Sequence, residues 1–302
     1  QRRRRGRDVS GILLLDKPVG AGSNAVLQHC KRLFDARKAG HTGSLDVPAS
    51  GLLPVCFGEA TKVSGYLLDA TKRYHAVFRL GIRTETGDAK GEVLERRPVP
   101  SLGREAVLPV LARFSGEILQ VPPMHSAIKR GGVPLYKLAY EGRTVEREAR
   151  PVTVYALELL GIEGDGLEVD VTCSKGTYIR ALAEDIGEAL GCGGHVASLR
   201  RLGAGPFSID DAWTPEALEA KARQGTAALD ACLLPVDAAL ADYPAVSVTP
   251  DSAFYLRQGQ PVQVPRAPTG GLLRLYDAGG SFLGVGEILD DGRVALRRQI
   301  RA

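Results

Sequence analysis

Ala39-Gly40-His41-Thr42-Gly43-Ser44-Leu45-Asp46, followed at once by Val47-Pro48-Ala49-Ser50-Gly51, decides how this chain is read. A histidine and a carboxylate stand five residues apart in a segment interrupted by Gly40, Gly43 and Gly51. It is too broken by glycine for a helix and too polar for a buried strand. The stretch is expected to be an ordered loop that carries chemistry.

Upstream, Gly11-Ile12-Leu13-Leu14-Leu15 reads as a short buried strand, stopped by Asp16-Lys17-Pro18-Val19-Gly20, where proline and glycine force a turn. Ser23 or Asn24 can then cap a helix whose apolar side is Val26, Leu27, Cys30, Leu33 and Phe34. Its opposite side carries His29, Lys31 and Arg32. Downstream, Leu52 to Phe57 has the apolar character of buried chain, and Gly58-Glu59-Ala60-Thr61-Lys62 opens a helix expected to run to about Leu68. Lys72 to Leu80 alternates, with Tyr74, Ala76, Phe78 and Leu80 on one face and His75 and Arg79 on the other, the pattern of a half-buried strand. A turn-rich connection follows from Thr84 to Gly91.

Residues 102–150 are more polar, with helices expected from Arg104 to Phe114 and around Leu135 to Tyr140. Strand patterns return at Val152 to Leu160 and Leu167 to Cys173. The period then becomes helical at Ile179, Leu182, Ala183, Ile186, Ala189 and Leu190, and Gly191 ends it. Tyr178 and Arg180 fall at the start of that helix, directly after Ser174-Lys175-Gly176-Thr177. A shorter copy of the helical signal over His195 to Leu202 places Arg200 and Arg201 beside Leu199. After a helix from Pro215 to Arg223 the composition shifts near Asp242-Tyr243-Pro244. Short strands at 261–264, 272–276, 282–289 and 294–298, between glycine and proline turns, describe a small β-rich domain.

At 302 residues the chain exceeds one average domain, and 44% hydrophobic with 25% charged residues is ordinary for a globular protein. No apolar run approaches the ~18 residues needed to span a bilayer. The arginine-rich start lacks the apolar segment and cleavage site of a secretory signal, so a cytoplasmic location is expected, with no membrane partner. Cys30, Cys56, Cys173, Cys192 and Cys232 are scattered without a C-x-x-C pair, which fits reduced thiols. Cys192 and His195 have near-ligand spacing but no second cluster, so no metal is expected. The net charge of +4 is unevenly spread: Arg2 to Arg5 and Arg7 form a basic arm, and Lys31, Arg32, Arg37 and Lys38 crowd towards the opening loop. Such runs are commonly solvated termini, and they are also the electrostatic footprint of a nucleic-acid binder.

Several sites are excluded by pattern. The chain has no G-x-x-x-x-G-K-[ST] phosphate loop, no G-x-G-x-x-G between strand and helix, no H-E-x-x-H and no G-x-S-x-G elbow. Around the opening loop His41, Ser44 and Asp46 remain. A serine hydrolase would need the histidine between serine and carboxylate, and no oxyanion motif accompanies it. The plainer reading makes Asp46 a turn residue and His41 a surface side chain.

The loop does not stand alone. Gly11-x-Leu-Leu-Leu-Asp16-Lys17-Pro18-x-Gly20, Lys38-Ala39-Gly40-His41-Thr42-Gly43-x-Leu45-Asp46, Gly58 to Lys62, Lys72-x-Tyr74, Pro123-Met124-x-Ser126-Ala127-x-Lys129 and Ser174 to Arg180 resemble, in order, the motifs of the TruB family of tRNA pseudouridine 55 synthases. The resemblance runs from about Gly11 to Leu202. It implies an α+β fold: a pseudouridine-synthase-type mixed β-sheet catalytic domain over 11–242 with an RNA-binding insertion at about 102–150, between a basic arm (1–10) and a PUA-like β-rich domain (243–302). It implies isomerisation of a uridine in the tRNA T-loop, without cofactor or metal, by a monomer that binds the T-stem and loop.

By match to the family motifs, Asp46 is the catalytic aspartate, Arg180 its cationic neighbour, and Tyr74 the face that stacks on the base. Tyr178 and Leu199 complete the pocket, and His41 occupies the space the flipped base leaves. Lys17, Lys31, Arg32, Lys62, Lys129, Arg130, Arg200, Arg201 and the arm at Arg2 to Arg7 are expected phosphate contacts. The sequence departs from the family at Val47-Pro48-Ala49-Ser50-Gly51, where Pro-Leu-Ala-Thr-Gly is usual, at Gly22, where serine or threonine is usual, and at His125, where tyrosine is common. Moving the proline one place fixes φ at residue 48 and biases Val47 towards an extended conformation. A non-catalytic RNA-binding or tRNA-folding protein on the same scaffold is the alternative.

Overall fold

The computed structural model describes residues 6–301. The first apolar run becomes β1 (Gly11–Lys17), antiparallel to β3 (Ser50–Phe57), with Leu13 paired to Val55 and Leu15 to Leu53. Both strands are covered on both faces, so they read as unbroken apolar runs. Between them come α1 (Ser23–Leu33) and β2 (Ala39–His41), the latter hydrogen-bonded to β3. The opening stretch therefore begins as a strand, because β3 satisfies the backbone of 39–41, and only residues 42–49 form the expected loop.

The helix expected from Gly58 to Leu68 is a 3₁₀ turn over Gly58–Lys62 followed by a separate α2 (Ser64–Leu68). β4 (Lys72–Leu80) has the expected alternation, with Ala76, Phe78 and Leu80 buried. A small hairpin of β5 (Ile82–Thr84) and β6 (Val93–Arg96) leads to α3 (Arg104–Arg113) and β7 (Gly116–Gln120). Val107 and Leu111 of α3 are in the main core, and β7 pairs with β10 (Arg150–Glu163). Residues 104–120 are thus part of the core rather than of the insertion. The segment outside the sheet is 121–149, with the hairpin β8 (Lys129–Arg130) and β9 (Val133–Pro134) and the short α4 (Leu135–Tyr140).

β11 (Gly166–Cys173) returns between β10 and β4, and α5 (Ile179–Ala189) follows at the predicted place. The predicted helix at His195–Leu202 is instead β12 (Gly194–Ala204), which lies between β4 and β3 in the sheet order β1-β3-β12-β4-β11-β10-β7. Register shifts fall between Val196 and Ser198 and between Arg201 and Gly203. Each bulge inserts one residue, so side chains three apart share a face and the strand imitates a helical period. β12 runs parallel to β3 where Arg200 pairs with Ser50 and Arg201 with Gly51. A Cβ on Gly51 (φ +107°) would drive into the Arg201 carbonyl, so only glycine admits this close approach.

A short β13 (Phe207–Ser208) extends β12 before α6 (Pro215–Arg223) and α7 (Thr226–Asp230), which pack with α1 over one face of β1 and β3. Then come β14 (Ala245–Ser247), α8 (Pro250–Arg257), β15 (Leu272–Tyr276), β16 (Phe282–Ile288) and β17 (Val294–Gln299). The strands form a four-stranded sheet in that order. The strand expected at 261–264 is reduced to a single bridge, Val262 to Val294. α8 went unpredicted although Thr249 caps it and Pro250 opens it, a legible start signal. The tail shares a core with the larger body: Val285 and Ile300 pack with Ile12, Leu14, Cys56 and Leu240. All five cysteines are buried and unpaired, and burial pushes the Cys30 and Cys56 thiols up to about 12.

Candidate active site

Four elements bring the predicted residues to one cleft of about 540 Å³. Asp46 comes from the loop after β2, Tyr74 from β4, Tyr178 and Arg180 from the start of α5, and Leu199 from β12. His125, Ser126, Tyr136 and Tyr140 of the 121–149 segment close the other side. His41 is not among the lining residues: it sits on β2 with a buried Nδ1 that has no hydrogen-bond partner among the described residues. Burial, and then the Arg201 cation, hold its pKa below the ordinary imidazole value, so it is neutral at pH 7. With its Nδ1 unpartnered and Ser44 exposed, the hydrogen-bonded serine–histidine–aspartate relay is not built.

The carboxylate and its cation have opposite surroundings. The Asp46 side chain is 54% exposed, while that of Arg180 is 10% exposed, with Nε 3.4 Å from Asp46 Oδ2. Arg180 Nη1 donates to the Thr86 carbonyl at 3.1 Å and Nη2 to the His125 carbonyl at 2.8 Å. Two carbonyls from distant loops therefore fix the guanidinium fork, and its remaining edge meets the carboxylate. Tyr74 is half-buried, and burial raises its phenol pKa, so it stays protonated and can donate a hydrogen bond.

Asp46 takes its aim from its backbone. Ser23 Oγ accepts from Leu45 N–H and donates to the Leu45 carbonyl, both at 2.8 Å. On the other side Gly20 N–H donates to the Val47 carbonyl at 2.8 Å, and Ala49 N–H closes a turn on the Asp46 carbonyl at 2.9 Å. Ser23 or Asn24 was expected as a helix cap, but the cap position is Gly22 and no side chain bonds there. Gly22 and Val47, two of the departures from the family pattern, are neighbours: a Cβ on residue 22 would lie 4.0 Å from Val47 Cγ2.

Several expected phosphate contacts are corrected by burial. Lys17 is wholly buried, and its ammonium donates to the Pro18 and Ala21 carbonyls at 2.8 and 2.5 Å. Arg201 is 2% exposed and donates to the Leu52 and Gly43 carbonyls at 2.7 and 2.8 Å, bracing both ends of the loop that carries Asp46. Neither can reach solvent phosphate. Arg200 is forked onto Asp16, both bonds 2.9 Å, and Lys62 is held by Glu59 and the Gln299 carbonyl, 2.6 and 3.0 Å. Arg7 pairs with Asp230 at 2.9 Å and caps the Phe34 carbonyl, whereas Arg2 to Arg5 lie outside the described residues. Arg32, Lys129 and Arg130 are exposed and Lys31 half-exposed. Lys129 and Arg130 edge a second recess of about 360 Å³ with Arg147 and Arg150.

Sequence reasoning missed Gln120 and Asp88. Gln120, 2% exposed at the end of β7, accepts from Tyr178 N–H at 3.0 Å and donates to the Tyr178 carbonyl at 3.2 Å, doing for α5 what a cap would do. A lone glutamine gives no local signal for this. Asp88, buried on the cleft wall, accepts from Thr86 Oγ1 at 2.6 Å and so stiffens the turn on which Arg180 leans. Among the described residues no group of three or more His, Cys, Asp or Glu side chains is placed to hold a metal, and no helix is long and apolar enough to cross a membrane.

Three family models match along the chain: the N-terminal domain of TruB family pseudouridylate synthase over residues 31–179, the tRNA pseudouridylate synthase B C-terminal domain over 180–241, and the pseudouridine synthase II TruB C-terminal model over 244–300. A tRNA pseudouridine synthase B of Ectopseudomonas mendocina is 58% identical over 97% of this chain and 96% of its own length. The chain belongs to the TruB family of pseudouridylate synthases. The protein of the same name from Nitrosococcus oceani is 56% identical over 99% of the chain and 97% of its own length. Among solved structures, a Cbf5-Nop10-Gar1 complex matches with a TM-score of 0.74 at 28% identity, covering 92% of this chain and 78% of that one. An H/ACA RNP bound to a substrate RNA containing 2′-deoxyuridine matches at 0.75 and 25%, covering 97% and 85%. This TruB-family chain thus shares the pseudouridine synthase fold, including the β-rich tail.

Proposed function

We propose that the protein converts uridine 55 in the T-loop of tRNA to pseudouridine, with Asp46 as the reacting carboxylate. Relatives named tRNA pseudouridine synthase B over nearly the full chain supply the reaction class. The observation that carries the residue assignment is Asp46 beside the fixed Arg180 in a cleft walled by Tyr74, Tyr178 and Leu199. The reaction breaks the N1–C1′ bond, turns the uracil, joins C5 to C1′, releases the C5 hydrogen to solvent as a proton and returns one proton to N1. Substrate and product are isomers, so the balance needs no cofactor.

A uridine stacked in a folded loop must leave the stack to reach Asp46, at a cost of a few kcal/mol. Tyr74 offsets that cost by stacking on the extruded base, with Tyr178 and Leu199 as the rest of its pocket, and His41, by its match to the family motif, fills the vacated space. Lys31, Arg32, Lys129 and Arg130 are the remaining phosphate contacts, on a monomer whose body (11–242) takes the T-stem and loop and whose tail (243–302) grips the more distal RNA. The test is release of tritium from transcript tRNA labelled at uridine C5. The intact protein should release it and Asp46→Asn should release none while still binding the tRNA. No release by the intact protein would overturn the proposal.

A further inference from the structure

We infer that Ser23 is a positioning residue for Asp46, acting through the Leu45–Asp46 peptide. This rests on the proposed function. Ser23 stands where the sequence offers a helix cap, yet the residue is 4% exposed and its hydroxyl is turned away from its own helix, onto a residue 22 positions later. One oxygen meets both polar groups of Leu45, accepting from its N–H and donating to its carbonyl, each at 2.8 Å. Bonds of that length in a dry site are strong, and each half left unpaired would cost the desolvation of a buried group.

The geometry gives the pair its purpose. The Leu45 carbonyl belongs to the peptide plane whose other end is the Asp46 nitrogen, so fixing that oxygen fixes the plane from which the Asp46 side chain departs. In the next plane the Asp46 carbonyl accepts from Ala49 N–H, and the plane after that is fixed from the same 17–23 turn, through Gly20 N–H to the Val47 carbonyl. The Asp46 side chain itself is 54% exposed and has only the 3.4 Å approach of Arg180 to steer it. A carboxylate so lightly held by its own contacts depends on its backbone for its aim, and among the described residues Ser23 is the one side-chain hydroxyl that grips that backbone on the N-terminal side. Ser23 is itself buried and not among the residues that line the cleft; it reaches the cleft only through the backbone of Leu45.

Ser23→Ala is expected to lower the single-turnover rate of tritium release about ten- to a hundred-fold, the size of effect that a misaimed reacting group produces. The Kd for tRNA should stay within about two-fold, because the RNA-facing surface is unchanged. Ser23→Thr keeps the hydroxyl and should recover most of the rate. A Ser23→Ala rate within about three-fold of the parent would overturn the inference, as would an equal loss in Ser23→Thr, or a Kd that weakens in step with the rate. Should Ser23→Ala not fold, Ser23→Cys serves, since a thiol bonds both groups weakly: a rate equal to the parent's would overturn the inference and an intermediate one uphold it. An inactive parent refutes the proposed reaction, whereas an active parent matched by Ser23→Ala refutes only the role of Ser23.

Discussion

Arg180 shows why residue type matters at this site. Its Nη atoms are committed to the Thr86 and His125 carbonyls, and its Nε faces Asp46. A lysine has one nitrogen and cannot span three loops. Arg180→Lys should therefore cut the single-turnover rate by about a hundred-fold with tRNA affinity held, read by rapid-mixing tritium release against a filter-binding Kd. His41 makes a pH prediction. Its folded-state pKa is lowered by burial and by Arg201, so the unfolded chain binds the proton more readily, and stability is present above the ordinary imidazole pKa and lost as pH falls through the folded one. Thermal unfolding should occur at lower temperature as pH drops below about 6.5, and His41→Asn should flatten that slope. An unchanged slope would remove His41 as its source. That Asp46, Tyr74, Tyr178 and Arg180 share one cleft was legible because ordered motifs carry them, whereas His41 lies outside that cleft and a charge in a sequence says nothing about exposure. That is how Lys17 and Arg201, both sealed against carbonyls, were read as phosphate contacts.

At the scale of elements, the junction between β3 and β12 joins the Asp46 loop to the rest of the sheet. Gly51 lets the two backbones touch at φ +107°, and Arg201 then reaches back to Leu52 and Gly43. Gly51→Ala combines a strained φ with a backbone collision and should cost about 2 kcal/mol or more, lowering the melting temperature in calorimetry. Arg201→Gln should act in the same way, destabilising the fold before it weakens RNA binding. Long elements with one regular period, β1, β4, β11 and α5, were readable from the sequence because their burial is uniform along their length. β12 was not, because its two bulges replace the period of two by spacings of three, information held in pairing with β4 rather than in the strand itself. The same limit applies to 104–120, whose polar surface concealed the buried stripe of Val107 and Leu111.

At the scale of the whole molecule, the proposed function assigns RNA affinity and stability to different surfaces. Among the described residues the exposed cations Arg32 and Lys129 form no ion pair, although Glu146 and Glu148 share the recess with Lys129, so Lys129→Glu should weaken tRNA binding and reduce its log–log salt slope by about one, with no change in melting. The tail, by contrast, belongs to the stability of the body. Val285 and Ile300 share a core with Ile12, Leu14 and Leu240, and outside that core Arg301 N–H bonds Glu59 and Tyr276 Oη bonds Asp237, at 2.9 and 2.6 Å. Trp213, the single tryptophan, packs in a different cluster, against β1 and α6, and its fluorescence reports the body alone. If the shared core makes one cooperative unit, Val285→Ala, about 1–3 kcal/mol in a buried site, must lower the midpoint read at Trp213 as much as that read by circular dichroism. If instead the tail melts by itself, the dichroism curve will split and the Trp213 midpoint will stay where it was.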